Sequence, residues 1–351
     1  MRGRFMIYGA TGYTGRLVAQ AAAARGMPAL LAGRNKAKLA AVAGPLGLEH
    51  RAFELTDQAA LESALADVEA VLLIAGPFSH TSRPMLDACV SNGRHYLDIT
   101  GEIDVFEACA RRESEARQAK IMVMPGVGFD VVPTDCLAAH LKRRLPDATA
   151  LTLALGGFAV MSHGTAKTAV ESIGLPSRVR RGGKIVPLGG KLERAIDFGK
   201  GPRPALAIGW GDVATAYYST GIPDITVFFE SMPQIERLAG LGGLARWLLR
   251  RSLVQAWLKR QVEKQPEGPT EAERASGTVA IYGEVVDAQG RRAAARLHTG
   301  EAYTMTAEFS LEIMRRVLAG EARPGFQTPS KMFGPDFITG FAGCSREDVE
   351  G

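Results

Sequence analysis

The first 148 residues alternate short strand-like runs with segments of helical periodicity. Six strands are predicted in this part, at residues 5–8, 29–32, 49–55, 68–75, 95–99 and 121–124. The run from Val68 to Ala75 is continuously apolar, as is typical of a parallel strand covered on both faces. Helices between the strands provide the crossovers, so the pattern predicts a doubly wound parallel sheet, an α/β fold of the Rossmann type.

From Thr149 the βα rhythm stops and apolar residues recur at every second position, at Leu151, Leu153 and Leu155. Further strands are predicted at residues 225–230, 277–286 and 292–299, hairpins between Gly182 and Pro204, and helices at residues 165–173 and 303–319. We therefore predict a first domain at residues 1–148 and a second, α+β domain at residues 149–319. Its sheet is expected to be mixed or antiparallel.

A glycine-rich turn joins the first predicted strand to the first predicted helix. Gly9 allows a tight turn, Gly12 lets a pyrophosphate approach the backbone, and Gly15 lets the helix pack closely. The N-terminus of the helix supplies unpaired N–H groups for an anion. An ordinary glycine turn is the alternative. We predict a dinucleotide site here, formed by Gly9, Ala10, Thr11, Gly12, Tyr13, Thr14 and Gly15.

The end of the second predicted strand indicates which dinucleotide would bind. NAD enzymes usually carry an acid there for the ribose 2′-hydroxyl, whereas this chain has Arg34 after Gly33, with Lys38 close behind. A guanidinium can bind a 2′-phosphate through two charge-assisted bonds, so we predict NADP(H) as the cofactor. Asp57 is either a helix cap or a contact to the adenine edge.

Loops after later strands complete the predicted cofactor site. Ala75, Gly76, Pro77 and Phe78 follow the fourth strand, near the expected position of nicotinamide, although a plain turn would explain them equally well. The turns with Gly101 and Gly126 follow the next two strands and are included in the site.

Four motifs together resemble one family. They are GATGYTG, AGPF, HYLDITGE and PGVGFDVVPTD, in that order over the first ~140 residues. The chain is similar to the saccharopine-dehydrogenase-like oxidoreductases, and within them to the bacterial branch of trans-acting enoyl reductases. Phrases at 268–277 and 303–313 and the tail around Thr328 also resemble this family. The resemblance implies that residues 320–351 return to the first domain, and that the substrate is an acyl or polyketide thioester.

Candidate catalytic residues follow from position alone. No tyrosine has a lysine four residues later, so the Tyr/Lys mechanism of short-chain dehydrogenases is absent. His80, Asp98 and Asp130 lie near the predicted nicotinamide, and His163 and Lys167 could enter from the second domain. Saccharopine-type amine chemistry, with Arg178, Arg180 or Arg181 binding carboxylates, and a non-catalytic NADP sensor or scaffold remain alternatives.

Composition and residue spacing limit the kinds of ligand and partner that we expect. The chain has 351 residues, a net charge of +5 and four widely spaced cysteines, which indicates reduced thiols in a cytoplasmic protein. No metal-ligand spacing, basic–aromatic nucleic-acid pattern or membrane-length apolar run occurs. The acid-free segment 237–262 fits a packed helical pair, a dimer contact or a basic membrane-surface element. We expect a homodimer, a small-molecule or carrier-linked acyl substrate, no metal and no nucleic acid.

Overall fold

The structure, a computed structural model, describes residues 3–157, 161–172, 175–231 and 247–349. Up to residue 147 strands and helices alternate, as the sequence pattern predicts. The elements are β1 (Phe5–Tyr8), α1 (Tyr13–Ala24), β2 (Ala29–Gly33), α2 (Lys36–Leu46), β3 (Glu49–Ala52), α3 (Gln58–Ala66), β4 (Ala70–Leu73), α4 (Phe78–Asn92), β5 (His95–Asp98), α5 (Ile103–Arg111), α6 (Glu113–Gln118), β6 (Met122–Met124) and α7 (Val132–Arg144).

The later part of the chain is dominated by strands. Up to residue 231 it contains β7 (Ala148–Gly156), α8 (His163–Ser172), β8 (Arg178–Arg181), β9 (Lys184–Pro187), β10 (Glu193–Asp197), β11 (Pro202–Ala207), α9 (Asp212–Thr220) and β12 (Asp224–Glu230). From residue 247 it contains α10 (Ser252–Val262), α11 (Glu271–Ser276), β13 (Thr278–Asp287), β14 (Arg292–Gly300), α12 (Ala302–Arg316), a π-helical turn (Val317–Glu321), β15 (Gly325–Phe326), α13 (Pro329–Phe333), a 3-10 turn (Phe337–Gly340) and β16 (Ser345–Val349).

The first sheet has seven parallel strands in the order β15-β6-β5-β4-β1-β2-β3. The strands β1, β2 and β4 are buried along their whole length, which explains their continuous apolar sequences. The order reverses between β1 and β4, because the chain continues outward from β1 to β2 and β3 before it returns to β4. In open α/β sheets a ligand binds outside the carboxyl ends of the strands at such a point. The predicted Rossmann-type fold is confirmed.

Among the described residues, the second sheet has nine strands and is mixed. Its main order is β10-β11-β12-β7-β13-β14-β16, with the β8–β9 hairpin joined to β12. The pair β7 and β12 is parallel, and the other pairs are antiparallel. The hairpins expected between Gly182 and Pro204 correspond to β8–β9 and β10–β11, whose outer strands begin before and end after that range.

The chain divides into two compact units that are not continuous in sequence. One contains residues 1–132 and 303–332, and the other contains residues 133–302 and 333–351. We expected the helix at 303–319 in the second domain and the whole of 320–351 in the first. The structure differs on both points, because α12 packs in the first unit whereas β16 pairs with β14 of the second sheet.

Specific contacts hold α12 in the first unit. Tyr303 meets the ring of Tyr13 edge-on, with ring centroids 5.2 Å apart. Thr306 Oγ1 accepts a hydrogen bond from the backbone N–H of Phe129 at 3.1 Å. After α12, β15 extends the parallel sheet beside β6. The elements at residues 303–332 therefore complete the sheet that carries the predicted dinucleotide site.

Candidate functional site

The glycine turn after β1 is built around two close approaches. Gly9 has a φ of +100°, and a Cβ there would lie 2.6 Å from the backbone nitrogen of Ala75, in the loop after β4. A Cβ on Gly15 would lie 2.8 Å from Ala10 Cα and still closer to the Gly9 carbonyl oxygen. Both positions therefore need glycine for the fold itself. The turn and the loop after β4 touch at the switch point of the sheet.

Gly12 differs from these two glycines. Its φ of −75° and ψ of 167° suit any residue, and a Cβ would meet only the Gly9 carbonyl oxygen, at an ordinary 3.5 Å. Gly12 is exposed at the N-cap of α1, with Thr11, Tyr13 and Thr14 half-buried beside it. The fold does not need glycine here, so a close-approaching ligand is the physical reason that fits its presence.

The end of β2 presents a positive charge. Arg34 is exposed, and its side chain makes no hydrogen bond or ion pair with the residues that the structure describes. Burial raises the pKa of Tyr8 at the end of β1, and the charge of Arg34 opposes that rise, so this guanidinium acts on the neighbouring strand end. The buried Gly33 precedes it, and the exposed Lys38 lies one turn into α2. A guanidinium in this position is accessible to a 2′-phosphate.

Asp57 caps α3. Its carboxylate accepts a hydrogen bond from the backbone N–H of Ala60 at 3.1 Å. This is the capping role considered for it from the sequence, and contact with an adenine stays a prediction.

The loop after β4 leads directly into α4, and an acid from another loop caps that helix. Glu102 accepts hydrogen bonds from the backbone N–H groups of Phe78 and Ser79, each at 2.8 Å. Thr81 donates back to the Ala75 carbonyl at 2.6 Å, which closes the loop on itself. Glu102 was not predicted as this cap from the sequence, because the two N–H groups that it caps lie more than twenty residues away. The signal available was its place in the HYLDITGE motif.

The residues of the loop after β4 differ in exposure to solvent. Phe78 is buried, Pro77 and Ala75 are half-buried, and Gly76 is exposed. His80 lies on the first turn of α4 with its side chain exposed. These residues stay predicted cofactor neighbours, with His80 accessible to solvent at the carboxyl end of β4.

Asp98 connects two loops. Its carboxylate accepts hydrogen bonds from the Tyr96 hydroxyl at 2.6 Å and from the backbone N–H groups of Thr100 and Gly126, each at 2.9 Å. Burial raises its pKa to about 6, against the effect of these donors. The side chain is fully buried and its oxygens are used, which favours a role in joining the loops after β5 and β6.

Asp130 lies between the same two loops. A Cβ on Gly101 would approach the Asp130 carboxylate to 3.1 Å, so the two residues are adjacent. The side chain is half-buried, and burial raises its pKa to about 7. A carboxyl group that titrates near neutral pH at the carboxyl end of a strand can hold and release a proton. Of the three candidates His80, Asp98 and Asp130, Asp130 combines a raised pKa with a side chain that is not fully buried, and its role in proton transfer stays a prediction.

Gly126 is required by the fold. Its φ is +74°, and a Cβ would lie 2.8 Å from the ring of Phe106 and 2.9 Å from Val131. Its N–H donates to Asp98, so the loop after β6 is held by its backbone. A cofactor contact by Gly126 stays a prediction.

The candidates in the second unit are engaged within that unit. His163 contacts the Gln265 carbonyl through Nε2 at 2.8 Å, and Lys167 pairs with Glu263 at 2.8 Å. Arg180 is buried, donates to the carbonyls of Val213 and Gly183, and lies 4.2 Å from the ring centroid of Tyr217. These contacts indicate structural roles.

The two arginines beside Arg180 on β8 are placed differently. Arg181 donates to the carbonyls of Arg180 and Ile225 and to the Thr226 hydroxyl, whereas Arg178 is half-buried. The contacts of Arg180 and Arg181 leave less reason to expect them to bind substrate carboxylates.

The described residues contain no candidate metal cluster, no disulfide and no membrane-spanning helix. Within the described ranges no group of three or more His, Cys, Asp or Glu side chains could hold a metal ion. All four cysteines lie in those ranges, and none of them forms a disulfide. Of the helices that the structure describes, none has the length and apolarity needed to cross a bilayer.

Comparison with known proteins agrees with this geometry. Residues 5–124 match the family described as the saccharopine dehydrogenase NADP binding domain. A trans-acting enoyl reductase of Mycobacterium ulcerans is 31% identical over 153 residues, which cover 40% of this chain and 35% of that protein. A trans-acting enoyl reductase of Mycobacterium leprae is 31% identical over 150 residues, with the same coverage. The match thus spans about a third of the length of these relatives.

Two solved structures share the fold across nearly the whole chain. Saccharopine dehydrogenase (L-Glu forming) of Saccharomyces cerevisiae superposes with a TM-score of 0.66 at 12% identity, covering 99% of this chain and all of that one. Homospermidine synthase of Legionella pneumophila, in complex with NAD, gives a TM-score of 0.64 at 11% identity, covering 97% and 89%. The family resemblance and the NADP-binding domain predicted from the motifs are confirmed, because residues 5–124 match the saccharopine dehydrogenase NADP binding domain.

Proposed function

We propose that this protein is an NADPH-dependent reductase that transfers a hydride to the C=C bond of an acyl or polyketide thioester. The proposal that this protein binds NADPH rests on the surroundings of Gly12. It is a glycine that the fold does not require, at the open N-terminus of α1 and at the switch point of a parallel sheet.

Arg34 supports NADPH over NADH. It occupies the position at which NAD enzymes usually carry an acid, and its guanidinium is exposed without an internal partner among the described residues. When bound, the cofactor supplies the hydride, and the protein needs to position the acceptor carbon and manage one proton. The chain between Gly9 and Gly15 would hold the pyrophosphate, and Arg34 the 2′-phosphate.

The acyl substrate is supported by the mycobacterial relatives that carry the name trans-acting enoyl reductase. Reduction of an enoyl thioester needs a hydride at the β-carbon and a proton at the α-carbon. Asp130 could hold that proton, because burial raises its pKa to about 7, and solvent could supply it otherwise. The absence of a tyrosine–lysine pair is compatible with this chemistry.

Saccharopine-type reduction of an imine to a secondary amine is the second candidate. The observation in its favour is the fold shared with the yeast saccharopine dehydrogenase. The arginines considered for its substrate carboxylates weaken it, since Arg180 and Arg181 are occupied by backbone carbonyls.

The test follows nicotinamide absorbance with the purified protein, as NADPH oxidation with enoyl-coenzyme A thioesters and imines and as NADP+ reduction with secondary amines. We expect turnover of thioesters with NADPH and much slower turnover with NADH. Gly12→Val is the matched inactive variant. Turnover of imines alone would replace the acyl proposal, and tight NADPH binding without turnover of any substrate offered would indicate a sensor or scaffold.

A further inference from the structure

A helix of the second unit carries an exposed surface of mixed apolar and basic character. It belongs to the acid-free segment 237–262, of which residues 237–246 lie outside the described residues. From residue 247 onward, large apolar side chains are exposed at 51% for Trp247, 47% for Leu248, 83% for Leu253 and 58% for Trp257. We call this the tryptophan surface, and it consists of Trp247, Leu248, Leu253 and Trp257 with the exposed cations Arg250, Arg251, Arg260 and Lys264.

The position of this surface is fixed by contacts on its other side. Gln255 donates to the carbonyls of Val170 on α8 and Leu249, at 2.9 and 2.8 Å. Lys259 pairs with Glu171, and Glu263 with Lys167. These contacts hold one face of α10 against α8. Leu253, Ala256, Trp257 and Arg260, at helical spacing, are left on the exposed face.

The cations of the surface have few direct partners. Within the described parts of the chain, the side chains of Arg250, Arg260 and Lys264 form no hydrogen bond or ion pair, although the charge of Arg260 helps to lower the pKa of the nearby Glu263. Arg251 lies over the ring of Trp247, with its guanidinium carbon 3.7 Å from the ring centroid. The surface therefore combines exposed positive charge without direct ion pairs with apolar side chains that can bury area against a partner.

We propose that the tryptophan surface binds an anionic phospholipid bilayer. Leu253 and Trp257 would enter the boundary between headgroups and acyl chains, where an indole ring is well accommodated. The arginines and Lys264 would lie among the phosphates, since guanidinium and ammonium groups bind them by charge-assisted bonds. The eleven-residue α10 would lie in the plane of the interface.

A second copy of the chain fits this surface less well. Across a two-fold axis the same patch meets itself, so the four unpaired or stacked cations of each copy would face one another. Such like-charge juxtaposition is unfavourable. An acidic protein would also satisfy the charge and is an outcome of the test below. Leu253, exposed at 83%, protrudes, as a residue that inserts into lipid must.

Intrinsic fluorescence tests the proposal without mutation. Two of the three tryptophans of the chain lie on the tryptophan surface, and the third, Trp210, packs edge-on against Phe229. Vesicles of phosphatidylcholine mixed with phosphatidylglycerol should shift the emission to the blue, and brominated acyl chains should quench it. Pure phosphatidylcholine vesicles should bind far less, and binding to the mixed vesicles should fall as salt rises.

Variants locate the binding on this face. We expect Leu253→Ser combined with Trp257→Ser to abolish co-flotation with the anionic vesicles. Arg260→Ala should lower the partition coefficient roughly fivefold, the contribution of one cation near an anionic surface. Leu192→Ser and Arg323→Ala, which change an exposed leucine and an exposed arginine elsewhere, are the matched controls and should bind as the wild type does. Circular dichroism verifies that each variant is folded.

Four results would overturn the proposal. Equal binding to neutral and anionic vesicles, or binding unaffected by the double variant, would exclude this surface. Loss of a dimer in the double variant, with no vesicle binding by the wild type, would make the face an interface between copies. Binding of a purified acidic acyl carrier protein at this face, without binding to vesicles, would assign it to a protein partner. Because NADPH turnover is measured separately, failure of this proposal is distinguishable from failure of the proposed reduction.

Discussion

Two aspartates of the first unit, Asp98 at the end of β5 and Asp130 in the loop after β6, have a pKa that burial raises. Asp98 has both carboxylate oxygens engaged by a hydroxyl and two backbone N–H groups, which offset part of the cost of its burial. For Asp130 burial is the cause of the raised pKa, to about 7, beside the Cα of Gly101. A folded-state pKa above the unfolded value means that the folded protein binds the proton more tightly.

The raised pKa of Asp130 predicts a pH effect on stability. Both states of the protein are protonated at this residue below its unfolded pKa of about 4, so the favourable contribution is complete there. As the pH rises towards about 7, the unfolded chain ionises first, and that contribution is lost. Asp130→Asn removes the titration. We therefore expect the wild type to lose stability relative to Asp130→Asn between pH 4.5 and 7.5, measured by urea unfolding.

Asp98→Asn is the comparison. It changes an acceptor that three donors use, so it should lower the free energy of unfolding by about 1–3 kcal/mol at pH 4.5. Because burial also raises the pKa of Asp98, to about 6, the wild type should lose part of this advantage as the pH rises to 7.5. If the difference between wild type and Asp130→Asn did not change with pH, Asp130 would not be the titrating group and its assignment as proton holder would fail.

Arg34 is the residue on which cofactor preference should depend. Because a hydrogen bond to a charged group contributes about 1.5–3 kcal/mol, Arg34→Ala should weaken NADPH binding by roughly 10- to 150-fold. NADH lacks the 2′-phosphate, so its affinity should barely change. Calorimetric titration of both cofactors measures the effect, with the exposed Arg83→Ala as control. An equal loss for both cofactors would contradict the role of Arg34.

At the scale of elements, the β1–turn–α1 segment was the most predictable part of the molecule. Its signals are local, because a buried strand, three glycines and a helical run follow one another within twenty residues. The structure shows which of the three glycines the fold requires, and their spacing in the sequence does not. Gly9 and Gly15 are needed by the protein backbone, and Gly12 is not.

That separation predicts different consequences for substitutions in one turn. Gly12→Val should leave the fold intact and abolish NADPH binding, because its side chain would occupy the space of the pyrophosphate. Gly15→Ala should instead destabilise the fold, since its Cβ would clash with the backbone of Ala10. Calorimetry and urea unfolding distinguish the two. Retained NADPH binding by Gly12→Val would show that the cofactor binds elsewhere.

Other elements of the site were beyond prediction from the sequence for a physical reason. The cap of α4 comes from Glu102, and the loop after β6 is held by Asp98 and Thr306. The residues in these contacts are far apart in sequence and come together only when the sheet forms. The pattern of apolar and polar residues therefore does not predict the contacts. The amphipathic pattern of α12 is another case, because its apolar face is the same whichever sheet it packs against.

At the scale of the molecule, the chain crosses between two units more than once. Residues 303–332 return to the parallel sheet, and residues 333–351 rejoin the mixed one. The strand β14 and the helix α12 are thus neighbours in sequence and belong to different units. The predicted boundaries at 149 and 319 followed the change in sequence pattern, which marks where strands and helices alternate but not which sheet a later helix will cover.

This arrangement predicts an uneven response of the chain to NADPH. A ligand at 100 times its dissociation constant stabilises the unit that binds it by about 2.7 kcal/mol, equivalent to a roughly 100-fold slowing of exchange through unfolding of that unit. If the cofactor binds the turn after β1, the amides of α12 and β15 should be slowed together with those of β1, although some three hundred residues separate them. The amides of β14 and β16, which flank α12 and β15 in sequence, should change little. Hydrogen exchange with mass spectrometry measures all five elements in one experiment, and Gly12→Val, which should not bind NADPH, is the control. Slowing confined to β14 and β16, or equal slowing in both units, would contradict the placement of α12 in an independently stabilised nucleotide-binding unit.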